Sequence, residues 1–367
     1  MLSLCTIVKN EESEIRSFLE HIHDFVDEII LVDTGSTDKT KKIASEFPKV
    51  KIFDFVWENN FAKARNESLK HASGEWILVL DADERISSFD FDEVKKIIEE
   101  NNKKKIDGFT LIQRNYSQDV NTRNFISSYE DKYPETKKFR GWTENHVVRL
   151  FRKKPEIFYS FKVHELVEPS IQAMGGKIRK TNIPIHHFTT TEKEKVEKKL
   201  KLYNDIIAKK CEETPFDDRA WFEYGINLLK MKRVGEATAV FEKTRALNPQ
   251  HPLVCAYLIE AYGKLKNASA IIESYKRGIS INPGDINLYL NMGEIFVANK
   301  KYDSALKAYA QALLIDKKSI VALFAFGACS YELKDFVKAR QALQHVLKVL
   351  PTHPKAKELL EKISTKV

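Results

Sequence analysis

Residues 74–84, GEWILVLDADE, decide the fold of the first half of this chain, because an apolar run there ends in two aspartates. The run at 76–80 has the length of a buried strand, and Asp81 and Asp83 follow it directly. Open α/β sheets bind ligands at the carboxyl ends of their strands. Two carboxylates at that position suit Mg²⁺ or Mn²⁺, which also bind diphosphates. Solvated loops and helix caps show the same pair, so the aspartates alone identify no site.

Short apolar runs and charged helical stretches alternate on either side of this segment. The pattern predicts strands at 2–8, 28–32, 50–56 and 76–80, and helices at 11–25, 37–47 and 61–71. Apolar runs of this length, separated by helices, are typical of a mostly parallel sheet covered on both faces. The irregular stretch at 108–188 is where an acceptor site is expected. Its polar part, 116–140, is a candidate lid, although a variable surface loop has the same composition.

The second half repeats every 34 residues. Prolines stand at 215, 249, 283 and 351, with Lys317 at the missing position. One position of the repeat is mostly glycine, and it is occupied by Gly225, Ile259, Gly293 and Gly327. Another position holds a large, mostly aromatic residue: Phe241, Tyr275, Tyr309 and Leu343. Small residues where helices cross, with a large residue beside them, are the signature of tetratricopeptide repeats. We therefore predict a first domain at 1–190, a connecting half-repeat at 191–217, four repeats at 218–353 and a capping helix at 354–367.

Composition narrows the class of protein. The chain has 367 residues, 43% hydrophobic and 31% charged, which suits a folded protein of two domains. The net charge of +8 is compatible with anionic substrates, an anionic membrane surface or nucleic acid, but no nucleic-acid-binding motif is visible. No apolar run approaches the roughly 20 residues of a membrane span, and no signal peptide is visible. We expect a cytoplasmic protein with reduced cysteines, at most peripheral at the inner face of the membrane.

Four motifs then carry a resemblance to a known family. They are TIVKNE at 6–11, LVDTGSTD at 31–38, FAKARN at 61–66 and LDAD at 80–83. In this order they resemble the family 2 glycosyltransferases of the GT-A fold, and the resemblance spans residues 2–188. It implies an α/β GT-A nucleotide-diphospho-sugar transferase domain followed by an all-α tetratricopeptide solenoid. The layout is similar to that of peptide S-glycosyltransferases, and the chain also resembles lipopolysaccharide-core glucosyltransferases.

The resemblance also implies roles for individual residues. Asp33 would contact the nucleotide base, Asp81 the ribose or the metal, and Asp83 would be the direct metal ligand. Three further residues would line the nucleotide pocket: Thr6, Val8 and Glu11. Arg65 would contact the nucleotide or its phosphates, and a surface helix charge is the alternative.

Several family members complete the metal site with a later histidine. Alternation places His187 on the face of a predicted strand that carries Ile183 and Ile185, with His186 opposite. We therefore favour His187 as a ligand. A buried histidine held by a backbone hydrogen bond is the alternative.

The catalytic base and the acceptor site depend on weaker signals. In FKVHELV, residues 161–167, the His164–Glu165 pair resembles that of the subgroup named above, and either residue could take the acceptor proton. The segment reads as strand-like, so only one of the two side chains should reach the substrate, and a structural salt bridge is the alternative. On the acceptor side, Trp142 could stack on a sugar and Arg149 could pair with an anion.

These features together predict an inverting, metal-dependent transfer of a sugar from a nucleotide-diphosphate donor. We expect Mn²⁺ or Mg²⁺ as the cation and a UDP-sugar as the donor. The repeat groove favours a protein or peptide acceptor, while the basic clusters fit a glycan or lipopolysaccharide-core acceptor at a membrane surface. A catalytically silent scaffold is the alternative of another class, and repeats of this kind also form homodimers.

Overall fold

The computed structural model describes residues 1–101, 105–120, 122, 124–188 and 193–365, without the side chains of 193–195. The chain divides into two compact units. The first unit comprises Met1–Tyr116, Tyr133–Glu135 and Glu144–Thr191, and the second comprises Ser117–Lys132, Thr136–Thr143 and Glu192–Val367.

The described residues contain one large mixed sheet. Its strands are β1 (Leu2–Val8), β2 (Glu28–Asp33), β3 (Val50–Asp54), β4 (Trp76–Val79), β5 (Glu84–Arg85), β6 (Gly108–Ser117), β7 (Ile126–Ser127), β8 (Gly141–Arg152) and β9 (Ile178–His187). Their order is β3-β2-β1-β4-β8-β6-β9-β5, and β7 pairs with β8. The four strands β1 to β4 are parallel, as predicted, whereas β8 runs antiparallel to β4 and β5 antiparallel to β9. The sheet is therefore mixed rather than mostly parallel.

Both faces of this sheet are covered. Leu4 and Leu78 enter one apolar cluster, whereas their neighbours Cys5, Ile77 and Val79 enter another. Successive side chains of a strand point to opposite faces, so each face has its own core. The helices of the first unit are α1 (Ile15–Ile22), α2 (Thr40–Ala44), α3 (Phe61–His71), α4 (Ser88–Asn101) and α5 (Glu168–Ala173).

The helix α3 has the predicted bounds, because the Asn60 side chain accepts a hydrogen bond from the Lys63 backbone N–H and caps its first turn. The helices α1 and α2 are shorter than predicted. The residues before them form loops that are hydrogen-bonded to each other. The prediction at 76–80 is one residue longer than β4.

The second unit contains helices in antiparallel pairs. They are α6 (Lys193–Glu213), α7 (Asp218–Lys230), α8 (Val234–Leu247), α9 (Val254–Lys264), α10 (Ala268–Ile281), α11 (Ile286–Ala298), α12 (Tyr302–Ile315), α13 (Ile320–Glu332), α14 (Phe336–Val349) and α15 (Pro354–Ser364). A β-carbon at Gly225 would lie 2.5 Å from the Phe241 ring, and one at Gly327 would lie 3.0 Å from Leu343. These contacts explain the small and large slots of the repeat, because the helices cross closely there.

Two segments between β6 and β8 also belong to the second unit. Val120 and Phe125 lie in the same apolar cluster as Ile320 and Leu323 of α13. The prediction placed these segments in the first domain, and the burial of Val120 and Phe125 accounts for the difference. Most of the candidate lid at 116–140 lies in them. None of the described helices is long and apolar enough to cross a membrane.

Candidate active site

The first unit brings the ends of three adjacent parallel strands together. The register places Val8 of β1 opposite Asp33 of β2, and Cys5 of β1 opposite Val79 of β4. Asp81 follows two residues after the end of β4. The predicted donor residues Thr6, Val8, Asp33 and Asp81 therefore lie at one edge of the sheet, where α/β folds bind nucleotides.

Asp33 is a buried carboxylate with one engaged oxygen. Its Oδ1 accepts hydrogen bonds from the backbone N–H groups of Gly35 at 2.9 Å and Ser36 at 2.8 Å. Gly35 has φ +103°, a conformation that glycine adopts without strain, and this lets the loop fold over the carboxylate. Asp33 Oδ2 is buried and has no hydrogen-bond partner among the described residues, and the same holds for Thr6 Oγ1.

The loops after β1 and β2 are bound to each other. The Asn10 backbone N–H donates to Ser36 Oγ at 2.9 Å, and Asn10 Oδ1 accepts from the Thr37 backbone N–H at 2.8 Å. Next to this pair, the Glu11 backbone N–H donates to Thr40 Oγ1 at 2.8 Å. These bonds fix the backbone around the predicted pocket residue Glu11. Asn10 was not predicted as a site residue, although it stands inside the TIVKNE motif.

Arg65 is a buried bridge between two carboxylates. Its Nη2 donates to Asp81 Oδ1 at 2.7 Å and its Nε to Glu165 Oε1 at 3.0 Å, while Nη1 has no partner among the described residues. Only 3% of Arg65 is exposed, so the alternative of a surface helix charge is wrong. Burial opposes its charge, but Asp81 and Glu165 raise its pKa well above the usual value. The guanidinium is therefore permanently charged in the site.

Asp81 also contacts a second guanidinium. Arg149 Nη2 lies 3.5 Å from Asp81 Oδ2 and 3.5 Å from Oε1 of the fully buried Glu84. Burial would raise the pKa of Asp81, but Arg65 and Arg149 hold it below its usual value. Arg149 was predicted to pair with an anionic group of the acceptor. The structure instead places its guanidinium beside Asp81.

Glu84 is a site residue that the sequence prediction missed. Its Oε2 accepts from the Asp81 backbone N–H at 2.9 Å, and Oε1 accepts from Gln113 Nε2. The carboxylate thus orients the turn that carries both aspartates. Its position three residues after Asp81 is the only signal in the sequence.

Asp83 and His187 lie side by side, with His187 Nε2 3.2 Å from Asp83 Oδ2. The other ring nitrogen, Nδ1, lies 2.7 Å from Asn115 Oδ1, and an amide oxygen only accepts hydrogen bonds. Nδ1 therefore donates a hydrogen bond to Asn115. Nε2 faces the Asp83 carboxylate, either as a second N–H donor or with a lone pair that could bind a cation. Burial lowers the pKa of His187, but the Asp83 hydrogen bond and the negative charges of Asp83, Glu84 and Asp81 together raise it above its usual value.

A carboxylate beside an imidazole is a pair of groups that suits a divalent cation. Metal ions replace the proton shared by a carboxylate and an imidazole, and the second ring nitrogen of a ligating histidine is commonly held by an oxygen acceptor. Within the described ranges, no group of three or more His, Cys, Asp or Glu side chains is arranged to hold a metal. A Mg²⁺ or Mn²⁺ ion here would take its remaining ligands from substrate phosphates and water, as Mg²⁺ often does. The oxygens of Asp81 face guanidinium groups, so Asp83 and His187 fit the cation better.

His186 has a different environment from His187. It is fully buried, and its Nδ1 lies 2.5 Å from the Tyr116 hydroxyl. Burial lowers its pKa to about 3, so the ring is neutral at pH 7. His186 and His187 point to opposite faces of β9, as predicted. The more buried of the two is His186, and it lies away from Asp83.

The His164–Glu165 segment is a turn rather than the predicted strand. Ser160 and Leu166 pair as an isolated bridge, and φ is +74° at Phe161 and +49° at His164. These left-handed conformations reverse the chain within a few residues. Glu165 is brought to Arg65, whereas His164 is exposed. The structural salt bridge that was the alternative exists, and Glu165 forms it with Arg65.

Trp142 is buried, with 4% of its surface exposed, and lies in β8 opposite Ile126. Its ring is therefore packed in the protein, in contrast to the predicted stacking on a sugar.

Comparison with known proteins agrees with this geometry. The glycosyl transferase family 2 model matches residues 3–163. The chain carries a family 2 glycosyltransferase domain. The tetratricopeptide repeat model matches residues 296–363. Most residues of the site lie within the family 2 match, whereas Glu165 and His187 lie just beyond it.

Three relatives match part of this chain. A tetratricopeptide repeat-containing protein of Synechococcus elongatus is 31% identical over 47% of this chain and 37% of its own length. The prophage-derived glycosyltransferase SunS of Bacillus subtilis is 32% identical over 43% of this chain and 33% of its own. A glycosyltransferase of Rickettsia felis is 29% identical over 57% and 69%. The chain thus spans about a third of the first two relatives.

Two solved structures resemble part of the chain. MamA is 16% identical with a TM-score of 0.39, covering 46% of this chain and 99% of MamA. YrrB, a tetratricopeptide protein with an unusual peptide-binding site, is 18% identical with a TM-score of 0.38, covering 46% and 86%.

Proposed function

We propose that this protein transfers a sugar, with inversion, from a nucleotide-diphosphate donor to a protein or peptide acceptor, in a metal-dependent reaction. The observation that carries the proposal is the group of buried polar atoms without partners at the strand ends. Asp33 Oδ2, Thr6 Oγ1 and Arg65 Nη1 are all unpaired among the described residues. A buried polar atom without a partner costs about 1–3 kcal/mol, and a bound donor would remove that cost.

The donor would lie across the ends of β1, β2 and β4. Asp33 Oδ2 accepts an N–H of the base, and Arg65 Nη1 donates to a ribose or phosphate oxygen. Asp83 and His187 would hold Mn²⁺ or Mg²⁺, which neutralises charge on the leaving diphosphate when it is bound. Asp81 would keep Arg65 and Arg149 in place. A UDP-sugar is our first donor for testing.

Glu165 is our candidate for the catalytic base. In an inverting transfer the acceptor attacks the anomeric carbon as its proton passes to a carboxylate, and the carbon–oxygen bond to the diphosphate breaks. Glu165 keeps one oxygen on Arg65, and 13% of its side chain remains exposed to meet an acceptor. The exposed imidazole of His164, one residue away, is the second candidate. Tetratricopeptide repeats form concave surfaces that bind peptides, which supports a protein or peptide acceptor.

Donor hydrolysis tests the proposal directly. UDP-, GDP- and TDP-sugars are incubated with the full chain in Mn²⁺ or EDTA, for the wild type and for Asp83→Ala. We expect metal-dependent turnover of one donor, lost in the variant. Glu93→Ala, an exposed surface change on α4, is the matched control and should retain activity.

Three outcomes would contradict the proposal in different ways. Nucleotide binding by calorimetry without turnover, in the presence of candidate peptide acceptors, would favour the silent scaffold. Turnover that needs a glycan or lipid-linked acceptor rather than a peptide would move the protein to the glycan or lipopolysaccharide-core class. Absence of any nucleotide binding by the folded protein would end the transferase proposal.

A further inference from the structure

The four turns inside the tetratricopeptide repeats share a lysine in an unusual backbone conformation. Lys232, Lys266, Lys300 and Lys334 stand 34 residues apart, with φ of 61°, 56°, 57° and 62°. Helices commonly end in this left-handed conformation, but glycine is the usual residue there. All four lysines are exposed. A lysine in each of these positions costs backbone strain, which favours a role for its charge.

The charge of this edge differs from that of the opposite edge. The turns inside the repeats, at 231–233, 265–267, 299–301 and 333–335, hold six Lys or Arg residues and one Asp, a formal charge of +5. The turns between repeats, at 248–253, 282–285, 316–319 and 350–353, hold two Lys and two Asp. Because successive helices run antiparallel, these two sets lie at opposite ends of the helices. We call the first set the lysine edge.

The lysines of this edge are available to a partner. The structure gives Lys232, Lys266, Lys300 and Lys334 no ion pair among its described residues, whereas neighbouring charges are paired with one another. The four lysines stand at equivalent turns of four successive repeats, so they lie along one edge of the repeat array. Charges spread over four successive repeats suit an extended anionic surface rather than one small anion.

Exposed leucines accompany two of the four lysines. Leu265 is 48% exposed and Leu333 is 36% exposed, and each directly precedes one of the lysines. Leucines that stand out beside a row of lysines suit the boundary between headgroups and acyl chains. Nucleic-acid surfaces instead interleave basic and aromatic residues, and the four turns contain no aromatic residue.

We propose that the lysine edge docks on an anionic membrane surface, with the lysines at lipid phosphates and the leucines at the acyl boundary. The proposal concerns the repeats alone and goes beyond the transfer reaction. It does not depend on the identity of donor or acceptor.

Vesicle co-sedimentation of the full chain tests this docking. The vesicles are pure phosphatidylcholine, or phosphatidylcholine with about a third phosphatidylglycerol, at low and high salt. Each lysine near such a surface contributes about 1 kcal/mol, or roughly fivefold in binding. Replacing the four lysines of the edge with glycine should therefore weaken binding several hundredfold. Glycine suits the left-handed turns, so the fold is kept.

The matched control removes the same charge elsewhere. Four exposed lysines away from the edge are replaced with glutamine: Lys276, Lys317, Lys318 and Lys348. This variant should bind the anionic vesicles within about threefold of the wild type, because screening confines the effect to charges near the surface. Donor hydrolysis should be unchanged in both variants, which separates failure of docking from failure of the transferase.

A second variant separates lipid from other polyanions. Leu265→Ser with Leu333→Ser should weaken vesicle binding without changing the charge. Equal losses in the lysine-edge and control variants would overturn the proposal, as would wild-type binding to neither kind of vesicle. Tighter binding to a single-stranded oligonucleotide than to anionic vesicles, lost with the four lysines and unchanged in the leucine variant, would assign the edge to nucleic acid instead.

Discussion

Glu28 is a buried carboxylate that joins several strands of the first unit. It begins β2, and its oxygens accept hydrogen bonds from Ser3 Oγ at 2.6 Å, from the Ser73 backbone N–H at 2.5 Å and from Ser73 Oγ at 2.7 Å. Lys51 Nζ of β3 donates to it at 2.7 Å. Removal of this charge should therefore loosen β1, β3 and the loop before β4 together.

The size of the effect follows from its pKa. Burial opposes ionisation of Glu28, but the hydrogen bonds from Lys51, Ser3 and Ser73 lower its pKa from 4.5 to about 2. Because the folded pKa lies below the unfolded one, the ionised carboxylate stabilises the fold above pH 4.5, and this stability is lost as the pH falls toward 2. The difference amounts to about 3 kcal/mol at pH 7 and about 2 kcal/mol at pH 3.5.

The perturbation is Glu28→Gln, which keeps the shape and removes the charge. Unfolding in urea at pH 7 and pH 3.5 is monitored by hydrogen exchange of peptides from β1 and β2. This readout distinguishes unfolding of the first unit from unfolding of the second. We expect a loss of about 3 kcal/mol at pH 7 that shrinks by about 1 kcal/mol at pH 3.5. Glu46→Gln, at an exposed ion pair with Arg16, is the control and should cost less than about 1 kcal/mol. A loss at Glu28 below 1 kcal/mol, or one independent of pH, would refute the reasoning.

Three further changes test other contacts. Arg65→Lys should lower kcat/KM for donor hydrolysis roughly 30-fold with the fold retained, because an ammonium cannot bridge Asp81 and Glu165 as the planar guanidinium does. An unchanged kcat/KM would show that Arg65 has no role in the reaction. Lys300→Gly should raise the free energy of unfolding of the repeats by about 1 kcal/mol in urea titrations, whereas Lys301→Gly, at an ordinary φ, should not. Gly293→Ala should cost about 1–2 kcal/mol because its β-carbon meets the Tyr309 ring, while Gly235→Ala, with open space around it, should be neutral or stabilising.

Features encoded by local patterns were predictable from the sequence. The parallel strands and α3 follow from the alternation of apolar runs with helical stretches, and the repeats follow from the 34-residue period. Asp33 and Asp81 were placed correctly at one sheet edge because parallel strands end together there. Arg65 was assigned to the site through a family motif, and the structure adds that it is buried between carboxylates.

Features that depend on distant contacts were not predictable. Glu84 looks like a third acidic loop residue, and its burial depends on Arg149 and Gln113, which come from β8 and β6. The turn at His164 depends on two left-handed residues that a strand-like pattern conceals. Arg149 was assigned to the acceptor because nothing in a linear reading shows that β8 lies beside β4.

The distribution of unpaired buried atoms bears on the choice between transferase and scaffold. Thr6 and Asp33 lie on β1 and β2 near one sheet edge, Arg65 lies on α3 beside Asp81, and each leaves one buried polar atom unpaired among the described residues. A buried polar atom left without any partner costs about 1–3 kcal/mol. A scaffold without a ligand could replace these side chains with apolar ones and gain stability. The position of these side chains near the Asp83–His187 pair therefore supports the proposed binding of a donor and a cation.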